Sequence, residues 1–329
     1  MLGVDEFIFP GHQIPTFRSD QAIRKGVQNK ILFKAVAGIG DQICAEPAIR
    51  FALENFRNVD ISIATKVPEF FTHLKFKKVY DLKVETPKYE NYFTIQTYAP
   101  PGELVWDFVS HGLTHCIDHP SIMLLQGTLP IESKVLQLPT IELSENLLEY
   151  TKPNYVALHA SKNWETSTFP AEWWNSIIDE LVNKGFTPVL FGKEMSEKQG
   201  TVTTKTDGCV DLRNKLTLLE TSTLLQKMKH FICNDSSPFH MACPGNTYIA
   251  FVAAAKHQDF IYHWRKNLGG KAEWAWRMKH FNKGGMWELT DRCPNKEGSV
   301  FIDKVDKELL NTWLPKPSEI VDWINKEKD

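Results

Sequence analysis

The chain has 329 residues, 42% hydrophobic and 24% charged, which suits a soluble globular protein and is long for a single core. Thirty-eight Lys and Arg against 40 Asp and Glu leave a net charge of −2, so no overall field marks a nucleic-acid binder. No apolar run approaches the ~18 residues of a membrane span, and six scattered cysteines (Cys44, Cys116, Cys209, Cys233, Cys243, Cys293) without a Cys-x-x-Cys pair fit reduced thiols rather than a disulfide framework.

Residues 1–29 carry Gly3, Pro10, Gly11, Pro15 and Gly26 and read as an irregular arm. The opening MLGVDEFIFPGHQIPTF has no basic region leading into an apolar core, so no signal peptide is expected. Lys30–Val36 is a strand signal, and Gly38-Ile39-Gly40-Asp41 turns it into a helix with Ile43, Pro47, Ile49, Phe51, Leu53 and Phe56 as its apolar face. Val59–Ala64 is a second strand and Tyr92–Thr97 a third. Between 103 and 150 short helical pieces alternate with Pro-bearing loops, and Tyr150–Pro153 reads as a linker dividing the chain into 1–150 and 151–329.

In the second part Asn154–His159 is a strand and Ser161–Pro170 a polar loop. A helix over Ala171–Lys184 sets Trp173, Ile177 and Leu181 at four-residue spacing beside Trp174, Ile178 and Val182, and Gly185 ends it as a left-handed cap. Phe186–Phe191 is the next strand, although Pro188 argues against a central position. Leu218–Met228 is helical, His230–Cys233 and Thr247–Val252 are strands, and a C-terminal helix closes the chain. Strands alternating with helices predict doubly wound parallel sheets, here as two α/β layers.

The most informative stretch is Leu225–Gly245. The His230–Cys233 strand stops at Asn234-Asp235-Ser236-Ser237-Pro238, a cluster of turn and N-cap residues with Pro suited to a first helical turn, and His240, Met241 and Ala242 continue as a short helix before Gly245. A strand ending in small polar residues ahead of a helix offers main-chain N–H groups to an anion at the carboxyl edge of an α/β sheet. The bland alternative is an ordinary capped turn.

Four segments together resemble a known family. Gly38–Arg50 (GIGDQICAEPAIR) is similar to the G-x-G-D…P-A-I/L-R opening of the ADP-heptose:lipopolysaccharide heptosyltransferases. Phe169–Trp174 (FPAEWW) resembles their W-P-x-x-x-W segment, Gly185–Gly192 (GFTPVLFG) their G-x-x-V-V-L-x-G strand, and Cys233–His240 (CNDSSPFH) their G-N-D-S-G-P-M-H signature. The resemblance, to glycosyltransferase family 9, implies a GT-B fold: two Rossmann-like domains with parallel sheets facing a cleft. The first domain would bind acceptor and the second the nucleotide-sugar, with inverting transfer, no obligatory metal and no cofactor. Asp41 falls on the family's general base; a carboxylate there would take the acceptor hydroxyl proton as that oxygen attacks the anomeric carbon. Helix capping is the alternative role for Asp41. Gly38 and Gly40 would let the main chain approach sugar or phosphate. Ser161 and Lys162 fall where the family contacts the diphosphate, and Gly192, Asn234, Asp235, Ser236 and His240 fall on donor-site segments. Leu216 would pack on the nucleobase, and Glu194 or Glu197 would accept from ribose hydroxyls. A solvated loop is the alternative for 161–162.

The departures leave the donor open between an ADP-sugar, which is favoured, and a UDP-sugar. The family Lys before the W-P segment is replaced by Thr166-Ser167-Thr168, Ser237 stands for a Gly, and Ala253–His257 (AAAKH) stands where the family has G-P-T-x-P. The implied acceptor is a saccharide or glycolipid, handled in the cytoplasm or peripherally at the inner membrane surface. Residues 256–283 hold seven Lys/Arg, Arg265 and Lys266 among them, against Asp259 and Glu273, interleaved with Phe260, Tyr262, Trp264, Trp274, Trp276 and Phe281. That mixture lines a donor or acceptor pocket, packs as an insertion, or binds nucleic acid, so a hydroxymethylated DNA base flipped from its duplex is the alternative acceptor. A nucleotide-sugar epimerase or hydrolase and a non-catalytic sugar-nucleotide binder are the remaining alternatives. His111, His115 and His119, with Cys116 and Asp118, have metal-like spacing, but Gly112 and Pro120 break the helix that would align them. Asp235, Ser236 and His240 lack the G-x-S-x-G elbow of a hydrolase triad.

Overall fold

In the computed structural model, which describes residues 29–97, 129, 131–162, 168–193, 200–252, 273–276 and 314–326, the strands sort into two sheets, both wholly parallel. The chain divides into two compact units, and the division falls between Pro139 and Thr140. The first unit holds β1 (Lys30–Ala35), α1 (Ile39–Cys44), α2 (Glu46–Asn55), β2 (Asp60–Thr65), β3 (Lys78–Asp81) and β4 (Phe93–Gln96), in the sheet order β3-β2-β1-β4. The second holds α3 (Glu145–Leu148), β5 (Tyr155–His159), α4 (Ala171–Asn183), β6 (Thr187–Leu190), β7 (Val210–Asp211), α5 (Leu218–Lys227), β8 (His230–Asn234), α6 (Ser237–Ala242), β9 (Tyr248–Val252), β10 (Glu273–Trp276) and α7 (Pro317–Lys326), in the order β10-β9-β8-β5-β6-β7.

In the first unit, the single helix expected after Gly38 is two helices broken at Ala45. Pro47 has no N–H to give to the carbonyl of Ile43, and its ring crowds that carbonyl, so the chain restarts as α2 with Pro47 in its first turn. The carboxylate of Glu46, fully buried, then organises this corner. It accepts from Arg50 Nε at 2.7 Å and from the Gln137 main-chain N–H at 3.0 Å, and lies 3.3 Å from His73 Nε2. Arg50 also donates to the carbonyls of Ser133 and Val135, at 3.3 and 2.7 Å. The Leu32, Ala64 and Tyr80 face of the sheet is covered by Leu82, Tyr89 and Tyr92, with the Tyr80 and Tyr92 hydroxyls 2.7 Å apart.

In the second unit, the core lies between the sheet and the pair α4 and α7. Val156, Leu158, Ile232, Ala250 and Val252 meet Trp174, Ile177, Ile178 and Leu181 of α4 and Ile320, Val321 and Ile324 of α7. Lys184 pairs with Asp322, and Trp173 Nε1 donates to the Pro315 carbonyl at 2.9 Å. Gly185 takes φ 78°, Phe186 N–H bonds Leu181 O and Gly185 N–H bonds Val182 O, so α4 ends in a Schellman motif. The other face packs α6 through Phe239, whose ring centroid is 4.4 Å from that of Phe251. A capping box of Thr217 and Glu220 starts α5.

Pro188 lies in β6, one strand in from the edge. Thr187 N–H donates inward to Asn154 O, so the nitrogen of Pro188 faces β7, and β7 pairs only from Val189 onward. The missing donor therefore falls where there is no ladder to break. Four residues of the basic, aromatic stretch form β10, which pairs in parallel with β9. Among the described residues no helix is long and apolar enough to cross a membrane.

His159 ends β5. It is 4% exposed, with Nδ1–H donating to the Phe191 carbonyl at 3.0 Å. Burial lowers its pKa from 6.5 to about 4, against a smaller upward pull from that carbonyl. The unfolded chain gains a proton as pH falls through 6.5, and the folded chain resists it until about 4, so stability is lost across that window on acidification. The linkage costs about 2 kcal/mol between pH 7 and pH 5. His159→Asn keeps an N–H donor and does not titrate. Urea unfolding at the two pH values should give a smaller loss for the variant; an equal loss would assign the acid sensitivity elsewhere.

Candidate functional site

Parallel strands end on one edge, so whatever follows β8, β5, β6 and β7 lies side by side in that order. Asn234–Ser236 follow from β8, Ser161 and Lys162 from β5, Gly192 from β6, and Arg213–Leu216 from β7. His240 stands in α6, directly after the β8 loop. The fold thus brings Ser161, Lys162, Gly192, Leu216, Asn234, Asp235, Ser236 and His240 to the carboxyl edge of one sheet.

The loops at that edge are tied to one another by a few buried polar groups. Asn234, fully buried, accepts from the Ser161 N–H through Oδ1 at 2.8 Å and donates from Nδ2 to the Ser161 carbonyl at 3.0 Å. The side chain therefore mimics a strand partner and fixes the main chain of Ser161. On its other side this segment pairs with Gly200–Val202: Val202 N–H bonds Ala160 O at 2.7 Å and Lys162 N–H bonds Gly200 O at 3.1 Å. Thr201, buried, sends its hydroxyl to the Lys193 carbonyl at 3.3 Å. Gly192, at φ 131°, sits under this crossing; a Cβ there would lie 2.1 Å from Thr201 Oγ1 and 2.9 Å from His159 Nδ1. Its carbonyl accepts from Asn214 N–H at 3.0 Å. Gly192 is thus required by close packing between loops.

The turn before Leu216 is locked by Arg213, whose Nε and Nη2 grip the Asp211 carboxylate at 2.9 and 2.8 Å. This guanidinium holds the Asp211 carboxyl below its ordinary pKa. Asn214 adopts φ 61°, and Leu216, half-buried, follows two residues later. Ser236 is the N-cap of α6, but its hydroxyl donates back to the Asn234 carbonyl at 3.2 Å and does not cap the first turn. Asp235, Ser236 and His240 are all buried.

In the first unit Gly38 is the N-cap of α1 and Asp41 lies in its first turn, half-buried. The Asp41 carboxylate folds back over Gly38, with Oδ2 3.0 Å from where a Cβ would stand. Behind it Gln42 is buried and bonded to the loops after β1 and β2. No motif singled out Gln42, Thr201 or Arg213; a polar residue heading the otherwise apolar run Ile43-Cys44-Ala45 was the one available signal for Gln42. Glu194, Glu197, Arg265 and Lys266 lie outside the described residues, as do His111, His115, His119, Cys116 and Asp118.

With this geometry in hand, residues 128–260 match the family model of glycosyltransferase family 9 (heptosyltransferase). No curated protein sequence matches the chain. Among solved structures, the glycosyl transferase family 9 protein of Veillonella parvula shares 12% identity at TM-score 0.56, covering 92% of this chain and 97% of its own. ADP-heptose lps heptosyltransferase II of E. coli shares 13% at TM-score 0.58, covering 91% and 98%. The iron-containing dodecameric glycosyltransferase TibC of enterotoxigenic E. coli shares 14% at TM-score 0.60, covering 90% and 75%. Three of the four motifs, Phe169–Trp174, Gly185–Gly192 and Cys233–His240, lie within the matched residues: the chain has the two-sheet GT-B type of fold, and over residues 128–260 it carries the pattern of glycosyltransferase family 9 (heptosyltransferase).

Proposed function

We propose that the protein is an inverting glycosyltransferase that moves a sugar from a nucleotide-diphosphate donor to a hydroxyl of a saccharide or glycolipid acceptor. The observation that carries this reading is the gathering of Ser161, Gly192, Leu216 and Asn234–His240 on one carboxyl edge, with Asn234 bonded to Ser161 and Gly192 O to the Asn214 N–H. An ADP-sugar is the favoured donor, since TibC has been solved in complex with ADP-D-beta-D-heptose and the E. coli heptosyltransferase WaaC with ADP; a UDP-sugar is the alternative. Work on a glycolipid would place the protein at a membrane surface.

In the proposed reaction the Asp41 carboxylate takes the acceptor hydroxyl proton as that oxygen bonds the anomeric carbon from the face opposite the leaving group. The bond from that carbon to the diphosphate breaks, and the nucleoside diphosphate leaves with the electron pair. The Ser161 hydroxyl, the Lys162 ammonium and the main-chain groups of the 235–236 loop meet the negative charge that develops there. Asn234 acts through Ser161, and Leu216 lies against the base. No step of this reaction uses a metal, and the first unit takes the acceptor while the second takes the donor.

A screen of the purified protein with ADP-, UDP- and GDP-sugars, by calorimetry and by transfer to truncated lipopolysaccharide with and without a chelator, tests the whole reading. Binding of none of these donors would sink it, and transfer abolished by the chelator would end the metal-free version. Rapid epimerisation or stoichiometric hydrolysis without acceptor would instead favour the epimerase or hydrolase alternative.

Asp41→Asn should leave donor affinity nearly intact while turnover falls by at least ~10²-fold. Gly38→Ala is the companion variant: φ −57° and ψ 162° suit Ala, so the chain should fold with stability unchanged or slightly raised. Its methyl must displace the Asp41 carboxylate, and turnover should fall without loss of thermal stability. Wild-type turnover in Asp41→Asn would remove Asp41 from the role of base.

Asn234→Asp sets an oxygen against the Ser161 carbonyl in place of a donor. Affinity for ADP, measured by calorimetry, should weaken at least ~10-fold, the equivalent of one buried bond lost. Unchanged affinity in a folded variant would take the 161 loop out of the donor site.

A further inference from the structure

The turn that carries Asp41 is held by a side chain that no motif marks. Gln42 is 1% exposed. Its Nε2 donates to the Ala37 carbonyl at 2.8 Å, and its Oε1 accepts from Thr65 Oγ1 at 2.7 Å and from the Lys66 N–H at 3.3 Å. Thr65, fully buried, accepts in turn from the Val67 N–H at 3.1 Å. The main-chain N–H of Gln42 bonds Gly38 O at 3.0 Å, the first helical bond of α1. One residue therefore fastens two successive carbonyls of the turn, Ala37 and Gly38, and anchors them to the end of β2.

We infer that Gln42 is a positioning residue for the transfer reaction, holding the Gly38–Asp41 turn so that the Asp41 carboxylate stays seated over Gly38. The inference rests on the reading of Asp41 as the base. Its physical ground is threefold. A helix of six residues does not hold its own first turn in water, so that turn needs a tertiary tie. A carboxamide donates at one end and accepts at the other, and this site uses both ends; a leucine supplies neither, and an ionised carboxylate only accepts. Finally, Asp41 and Gln42 are adjacent in the same turn, so release of Ala37 moves the carboxylate directly, and a displacement near 1 Å costs on the order of 10²-fold in rate.

The test compares wild type, Asp41→Asn, Gln42→Leu, Gln42→Glu and Thr65→Val, with ADP-heptose as donor and truncated lipopolysaccharide as acceptor, well below the melting temperature of each. Gln42→Leu should lower kcat at least ~10-fold while the donor KM stays within ~2-fold, because the tie lies in the unit that does not hold donor in this reading. Thr65→Val, which removes one of the bonds to Oε1, should lower kcat less. Gln42→Glu gives the readout that a general loss of stability would not. Its introduced carboxyl is buried and so protonates well above the ordinary range; protonated, it donates to Ala37 O as the amide does. Its kcat relative to wild type should therefore rise as pH falls from about 8 to about 6, whereas the ratio for Gln42→Leu stays flat. If Asp41→Asn loses turnover but Gln42→Leu and Gln42→Glu keep wild-type kcat at every pH, the positioning role is overturned and the base stands. If Asp41→Asn itself keeps turnover, the base reading fails, and the role of Gln42 fails with it. Should Gln42→Leu not fold, a flat pH ratio for Gln42→Glu overturns the inference by itself.

Discussion

A buried carboxamide must be paired at both ends, because each unpaired end costs about as much as the bond it replaces. Both units turn this constraint into architecture. In the second, Asn234 reads the N–H and the C=O of Ser161 together and so fixes one residue of the neighbouring loop completely. In the first, Gln42 takes Ala37 on one side and Thr65 with Lys66 on the other. Each amide projects from the loop or first turn after one strand to the loop beside a neighbouring strand. Loops leaving a parallel sheet have no ladder between them, and these side chains supply the missing one.

Everything else at the second edge follows from that tie. With Ser161 held, the segment from Ala160 to Lys162 can pair with Gly200–Val202, and Thr201 then closes over Gly192 and His159. That packing excludes any side chain at Gly192 and buries His159, which lowers its pKa. The turn after β7 joins through Asn214 N–H to Gly192 O and is stiffened by Arg213 on Asp211. In the proposed donor site that rigidity would favour binding, since donors already aimed at a ligand need no reorganisation.

The motif Gly38–Arg50 divides between two tasks. Its first half, Gly38 to Asp41, presents the carboxylate; its second half builds a buried corner around Glu46, where Arg50 and the Gln137 N–H pair with one carboxylate. Removing either partner from such a buried group is costly because the other stays behind uncompensated. Residues that travel in one motif therefore need not share one function, and the Pro47 break between the halves is what lets the turn and the corner be oriented separately.

Periodicity and punctuation in the sequence were enough for the parallel α/β class, for β1, β2, β5, β8 and β9 to within a residue or two, and for α4 with its left-handed cap at Gly185, because these depend on neighbours along the chain. The candidate loops were legible for a similar reason: small polar residues directly after apolar runs mark a carboxyl edge wherever the strands are parallel. Short β3 and two-residue β7 were not legible, since strands of that length carry no period and exist through their partners. Nor could the sequence divide labour among the polar residues. Asn234 reads as a ligand contact and is found bonded to the Ser161 main chain, while Gln42, beside the conspicuous Asp41, holds the turn. Which polar atom meets main chain and which is left to meet a ligand is decided by contacts between residues 23 and 73 positions apart, and only the tertiary structure brings those together.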